Sequence, residues 1–219
     1  TRWYFVTGVQ TCALPIYGDG RTFEKYTGAL GGRYDRFDYV ASVSHFRTDG
    51  FRQRSEAQTT VVNGRARLAL GGATELSAVW NLANTPVAQN PGALPADLAR
   101  VRPDTAWPAN VARRTGESAR QMQGGLGLRH RASAEWEVRG SVWGIARDLD
   151  NPIPPRIIRV DRAAGGARVE AEWTPVALPV SGLVAGVEAE LQADDRIEFA
   201  NVSGAPGDTT LWQDERVRS

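Results

Sequence analysis

Between Gly182 and Asp194 every second residue is apolar: Leu183, Ala185, Val187, Ala189, Leu191 and Ala193. The positions between them include Glu188, Glu190, Gln192 and Asp194. A strand points successive side chains to opposite faces, so this segment has one greasy face and one charged face. The pattern recurs over segments of ten or more residues, about the length that crosses a bilayer at a tilt. Such a chain is patterned as a transmembrane β-barrel, apolar outside and polar inside.

The period of two predicts an all-β fold, an antiparallel meander of about nine long strands. They run over Thr22–Arg33, which alternates least well, then Phe37–Arg47, Gln58–Leu70, Thr74–Asn84, Ala119–Arg131 and Ala134–Arg147. A seventh ends in Ala167–Trp173, the eighth is Gly182–Asp194, and a ninth starts near Thr209. In the third, Val62, Ala66 and Leu68 oppose Asn63, Arg65 and Arg67. In the sixth, Trp136, Val138 and Val142 oppose Glu135, Glu137 and Arg139. The 12 prolines fall outside these segments, as a ladder that uses every backbone N–H requires.

Short and long connections take turns. Tyr34–Arg36, Gly71–Gly72, Ala132–Ser133 and Pro175–Ser181 are short, whereas Thr48–Ala57, Thr85–Ser118, Asp148–Gly165 and Arg196–Asp208 are long. Outer-membrane barrels have short periplasmic turns and long extracellular loops, so the parity predicts an orientation. Tyr34, Phe37, Tyr39, Trp136 and Trp173 lie beside short turns, where an interfacial aromatic girdle belongs. The alternative is that they are core aromatics of a β-sandwich.

Composition excludes several classes. Lys+Arg 26 against Asp+Glu 25 leaves no global field of the kind that attracts nucleic acid. All but Lys25 of the basic residues are arginine, a bias that reads as coding preference. No apolar run approaches the length of a membrane helix. Cys12 is the sole cysteine, so neither a disulfide nor a thiolate metal site is available. His45 and His130 fall on separate strands without a nucleophile or ligand spacing around them, and read as barrel-face residues. Asp148, Asp150, Asp194 and Asp195 have the chemistry for calcium at a loop base, yet solvated carboxylates are the plainer expectation. Neither a catalytic residue nor a metal site or cofactor is expected.

Val6–Ile16, VTGVQTCALPI, resembles the translation of a sequencing-library adapter. Residues 1–16 are therefore expected to be non-native, and 17–219 to be one piece of β-barrel; the alternative is a genuine N-terminal strand. A secretory signal fits poorly, because the segment lacks a basic start and a sustained apolar centre.

Phe37–Ser55, FDYVASVSHFRTDGFRQRS, is similar to the early barrel of TonB-dependent outer-membrane receptors. Asn90–Leu94 (NPGAL), Gln123–Arg131 (QGGLGLRHR) and Asp148–Pro154 (DLDNPIP) resemble the siderophore and ferric-citrate branch of that family. The resemblance implies a cell outer membrane location in a Gram-negative bacterium, contact with outer-membrane lipid, and active import of a ferric siderophore or other iron chelate. It also implies a barrel of about 22 strands, an N-terminal plug and a segment that recruits TonB. The last two have no counterpart in this sequence, so the chain is expected to be an incomplete, interior portion of such a barrel.

Ligand contact is expected in the connection Thr85–Ser118, from Gln89, Asn90, Arg100, Arg102, Trp107, Arg113 and Arg114. Guanidinium and aromatic groups suit anionic, planar chelates, and the two amides add hydrogen bonds. Plain surface decoration competes with this for each residue. Another outer-membrane barrel, a porin or an adhesin, would share the alternation but not the family-like stretches. A soluble carbohydrate-binding β-protein would bury both sheet faces.

Overall fold

The computed structural model describes residues 10–13, 16–18, 21–175 and 182–218. Two short strands, β1 (Gln10–Ala13) and β2 (Ile16–Gly18), both pair with β3 (Arg21–Tyr34). The meander continues through β4 (Phe37–Thr48), β5 (Ala57–Leu70) and β6 (Thr74–Gln89). After two short helices, α1 (Ala96–Val101) and α2 (Pro108–Ala112), come β7 (Gly116–Arg131) and β8 (Trp136–Pro152). β9 (Arg156–Trp173), β10 (Leu183–Val202) and β11 (Ala205–Arg218) complete it. From β3 to β11 each strand is antiparallel to the next in sequence, and the sheet does not close on itself. The nine long strands are those expected from the alternation.

Register shows why the sheet has two unlike faces. Gly32, Tyr39, Ala66, Ala78, Leu126, Val142, Ala167 and Ala189 are successive cross-strand partners, forming one apolar row over eight strands. One residue along, the row reads Asp38, Arg67, Ser77, Gly127, Ser141, Arg168 and Glu188. Large apolar side chains on the first face stay open: Leu126 is 62% exposed, Val187 and Leu191 75%. A water-soluble sheet would bury such a face under a second layer, and among the described residues no such layer exists. No helix is long and apolar enough to cross a membrane, which says nothing of strands.

Cross-strand pairs hold the polar face. Arg67 forks onto its register partner Asp38 at 3.0 and 3.1 Å. Arg139 meets its partner Glu170 at 3.1 Å and also reaches Glu137 and Glu172. On the other face, in line with the apolar row, the two histidines also pair with register partners, His45 Nδ1 with Thr60 Oγ1 and His130 Nδ1 with Thr74 Oγ1, each at 2.8 Å. At the short-turn end Trp136 and Trp173 are register partners with rings stacked at 6.1 Å, and Phe37 stacks on Tyr39 at 5.7 Å. These aromatics lie against one open sheet rather than between two, as an interfacial girdle would.

Two of the four expected long connections are corrected. Asp148–Gly165 is almost entirely strand: β8 runs to Pro152 and β9 starts at Arg156, leaving a three-residue turn at 153–155. Arg196–Asp208 likewise dissolves into β10 and β11, with only Ser203 and Gly204 between them. Asp150–Arg159 at 2.7 Å and Arg162–Asp194 at 2.6 Å hold these extensions together, so those aspartates serve as ladder partners. Prolines also enter strands. Pro86 falls where the β6–β7 register slips between Thr85 and Ala88, a bulge that spares the ladder a missing donor. Past Pro175, the short connection Pro175–Ser181 lies outside the described residues.

Candidate functional site: the capped end of the sheet

The two long connections that remain, 49–56 and 90–115, lie at the same end of the sheet, and the buried residues gather there. Ala106, Asn110, Thr115, Ile157, Glu198 and Asn201 are all buried, and among the described residues no strand residue nearer the short turns is. Among the described residues these form a packed cap, built mainly from loop backbone and polar side chains.

Segment 46–56 forms its base. Thr48 Oγ1 accepts the Gly50 N–H at 3.0 Å, with Gly50 at φ 69°, and Ser55 Oγ closes the turn on Arg52 from both sides. Two guanidiniums then leave this turn for the 90–115 loop. Arg52 Nε donates to the Thr105 carbonyl at 3.0 Å and Arg54 Nη2 to the Thr115 carbonyl at 2.9 Å. Gln53 N–H adds a bond to the Asp104 carbonyl at 2.7 Å. Nothing in residue type marks Arg52 and Arg54 as loop clamps, although both lie inside the family-like stretch.

Within the 90–115 loop, Asn90 is the organiser. Its carbonyl accepts from Thr115 Oγ1 at 2.7 Å and Asn110 Nδ2 at 3.1 Å, and its own Oδ1 takes the Gly92 N–H at 2.9 Å. A Cβ on Gly92, at φ 73°, would meet Asn110 Oδ1 at 2.7 Å, so the close approach demands glycine. Pro108 opens α2, a position where a missing N–H costs nothing, and Trp107 precedes it, 40% exposed.

The far side of the loop reaches β10. Asn201 Nδ2 donates to the carbonyls of Arg113 at 2.8 Å and Ile153 at 2.9 Å, while its Oδ1 accepts the Gly204 N–H at 2.8 Å. Arg113 Nη1 returns a bond to the Asn201 carbonyl. The loop therefore spans the short β8–β9 turn, which explains the burial of Ile157 and Glu198 at strand tips. Glu198 is held between Arg156, at 2.6 Å, and Arg196.

Of the seven expected contact residues, Asn90, Trp107, Arg113 and Arg114 come together in this cap. Gln89 is a strand residue, the last of β6, with its side chain on Glu56 at 3.3 Å. Arg100, in the last turn of α1, and Arg102, at its end, carry exposed guanidiniums with no side-chain bond among the described residues. Arg52 and Arg54 were not among the expected residues. Six arginines thus lie on or near one loop, the side chains of Arg52, Arg54 and Arg113 bonded to main-chain carbonyls and Arg100, Arg102 and Arg114 exposed. Among the described residues no group of three or more His, Cys, Asp or Glu side chains is placed to hold a metal.

A cleft of about 570 Å³ opens nearby, lined by Asn84, Arg120, Asp148, Arg159, Asp161 and Asp195 among others. Arg120, Asp148, Asp161 and Asp195 form the row two residues beyond Met122, Ala146, Ala163 and Ala193. This cleft is therefore a continuation of the apolar face and looks away from the polar one.

Comparison with solved structures finds the same fold elsewhere. The crystal structure of the ferric citrate transporter FecA in its unliganded form superposes with a TM-score of 0.69 over 96% of this chain, at 16% sequence identity. The two share a fold. This chain spans 32% of the length of that one. No family model and no curated protein sequence matches.

Proposed function

We propose that this chain is part of the wall of a TonB-dependent outer-membrane transporter that imports a ferric siderophore or a similar iron chelate. One observation carries the reading: an apolar face unbroken across eight strands, backed by a polar face, in a meander whose fold recurs in FecA over 96% of the chain. The apolar face meets lipid hydrocarbon, and the polar face lines the interior of a barrel completed by further strands. The capped end is extracellular. There Asn90, Trp107, Arg113 and Arg114, with Gln89, Arg100 and Arg102 around them, receive an anionic chelate through charge-assisted hydrogen bonds.

Transport on this reading involves no covalent step. Binding selects one arrangement of the loops, and the pull that moves cargo inward arrives through a plug and TonB contact outside this chain. Residues 1–16 stay outside the proposal as non-native sequence, on the adapter resemblance, and resequencing of the locus decides that point.

The test is deletion of the complete gene, followed by uptake of radiolabelled iron presented as a panel of ferric siderophores and ferric citrate. Energy-dependent uptake of at least one chelate should disappear and return on complementation. Unchanged uptake across the panel under iron limitation would refute the proposal. Nitroxide labels at Leu128 and Ser141 address the wall itself, since only the first should collide with lipid-dissolved oxygen.

A further inference from the structure

The apolar face carries a valley along β8 and β9. Gly144 faces Gly165 in register there, and Ala146 faces Ala163. A Cβ on either glycine would meet only backbone atoms, so no side chain covers the floor. The neighbouring strands stand higher: Met122 and Leu126 on β7 are 57% and 62% exposed, and Leu191 on β10 75%. Those sides are three strand spacings apart, about 14 Å. A groove of about 680 Å³ follows the floor, lined by Ala163, Gly165, Ala167, Ala189, Leu191 and Ala193 among others. Two residues further toward the cap the same strands turn from apolar to charged. Asp148, Asp161 and Asp195 continue the face of Ala146, Ala163 and Ala193, and are themselves successive register partners. Asp195 meets Arg216 at 3.4 Å, whereas Asp148 and Asp161 have neither an ion pair nor a side-chain hydrogen bond among the described residues. Arg120, the register partner of Asp148 on β7, is exposed and equally unpaired among them. All four line the cleft of about 570 Å³, in which Arg159 is taken by Asp150.

Groove and cleft join end to end, apolar and then charged, which is the division of an amphiphile. Like charges directly opposite each other weaken a ladder, so Asp148 and Asp161 gain most from a cation set between them. Their two carboxylates outweigh the one unpaired guanidinium of Arg120. A headgroup with phosphate alone is therefore repelled, whereas one with both a phosphate and a primary amine matches the signs present. We propose that the β8–β9 valley and the cleft above it seat one membrane lipid whose headgroup carries a phosphate and a primary amine. Its ammonium sits at Asp148 and Asp161, its phosphate at Arg120, and an acyl chain lies along Ala146, Ala163 and Gly165. The site rests on the wall reading, in which this face meets lipid, and adds where a lipid is held and by which chemistry.

The experiment delipidates the complete gene product in detergent micelles and titrates it with an equimolar mixture of two lipids. Phosphatidylethanolamine and phosphatidylglycerol with the same acyl chains are used, and native mass spectrometry reads which binds first. The ethanolamine lipid should be favoured in the first bound position by roughly two- to five-fold, what one exposed ion pair supplies. Asp148→Asn combined with Asp161→Asn should bring the two lipids to parity, whereas Asp97→Asn on α1 should leave the preference intact. Ala163→Leu raises the valley floor with both carboxylates in place, and should weaken the first binding event from the apolar end. Retention of neither lipid by the parent protein, or of both in equal share, overturns the site. So does a preference that survives the paired asparagine variant, or a first binding event untouched by Ala163→Leu. The wall reading is decided separately by the nitroxide at position 128: a label that meets lipid-dissolved oxygen in a protein without lipid preference removes the site alone.

Discussion

Asn201 on β10 and Arg113 in the loop before β7 hold each other across 88 residues of sequence, each donating a side-chain N–H to the other's main-chain carbonyl. Neither bond depends on the partner's side-chain identity, only on where its backbone runs. The pair fixes the loop across two intervening strands. Asn201→Ala should leave the Arg113 carbonyl and the Gly204 N–H without their side-chain partner, at roughly 1–3 kcal/mol for each group, while the Ile153 carbonyl keeps the Arg156 N–H. The expected outcome is a loop 90–115 that exchanges and is cleaved by protease much faster, with the strands still protected. Unchanged protection of the loop would show that its position is set elsewhere.

Leu126 stands in the apolar row and Arg129 in the polar one, paired with Glu75 at 3.8 Å. Leu126→Arg should destabilise the bilayer-inserted wall by about 2–4 kcal/mol, and Arg129→Leu by much less. Folding titrations into lipid vesicles check this, and equal effects would mean that the faces have been assigned wrongly.

Gly64 lies beneath the indole of Trp80, its register partner. A Cβ at 64 would fall 1.9 Å from the ring. Gly64→Ala should therefore cost about 1–3 kcal/mol by overpacking. Most of that cost should vanish in a Trp80→Ala background, as a double-mutant cycle would report. An additive cycle would place the clash with another neighbour.

Residues 17–219 alone should transport nothing, since the proposed mechanism needs a closed wall and a plug. Expressed with an outer-membrane signal in a receptor-deficient strain, this segment should give no energy-dependent uptake of labelled ferric siderophores. Uptake by the segment itself would sink the proposal that it is one portion of a wall.

The two faces and the nine long strands were legible in the sequence because lipid on one side imposes a period of two. Ala66 between Arg65 and Arg67, or Val187 between Gly186 and Glu188, already states a face. That signal ends where the lipid ends. Asp148, Asp150, Arg159, Asp161 and Arg162 look like loop because beyond the apolar belt both faces meet water, and hydropathy stops alternating. What keeps those residues in strands is opposite charge facing across the ladder, Arg159 on Asp150 and Arg162 on Asp194, and pairing of this kind requires knowledge of register.

The cap was still less visible. Residue type suggests Asn90, Trp107, Arg113 and Arg114 as ligand contacts, yet it does not show that Arg52, Arg54, Arg113 and Asn201 tie the loops down, because their partners are main-chain carbonyls. A carbonyl carries no trace of the side chain attached to it. The sequence by itself determined which residues face lipid, since that depends only on each residue and its immediate neighbours. Only the tertiary structure decided which loops are tied down and where six arginines gather, because hydrogen bonds to backbone depend on the path of the chain.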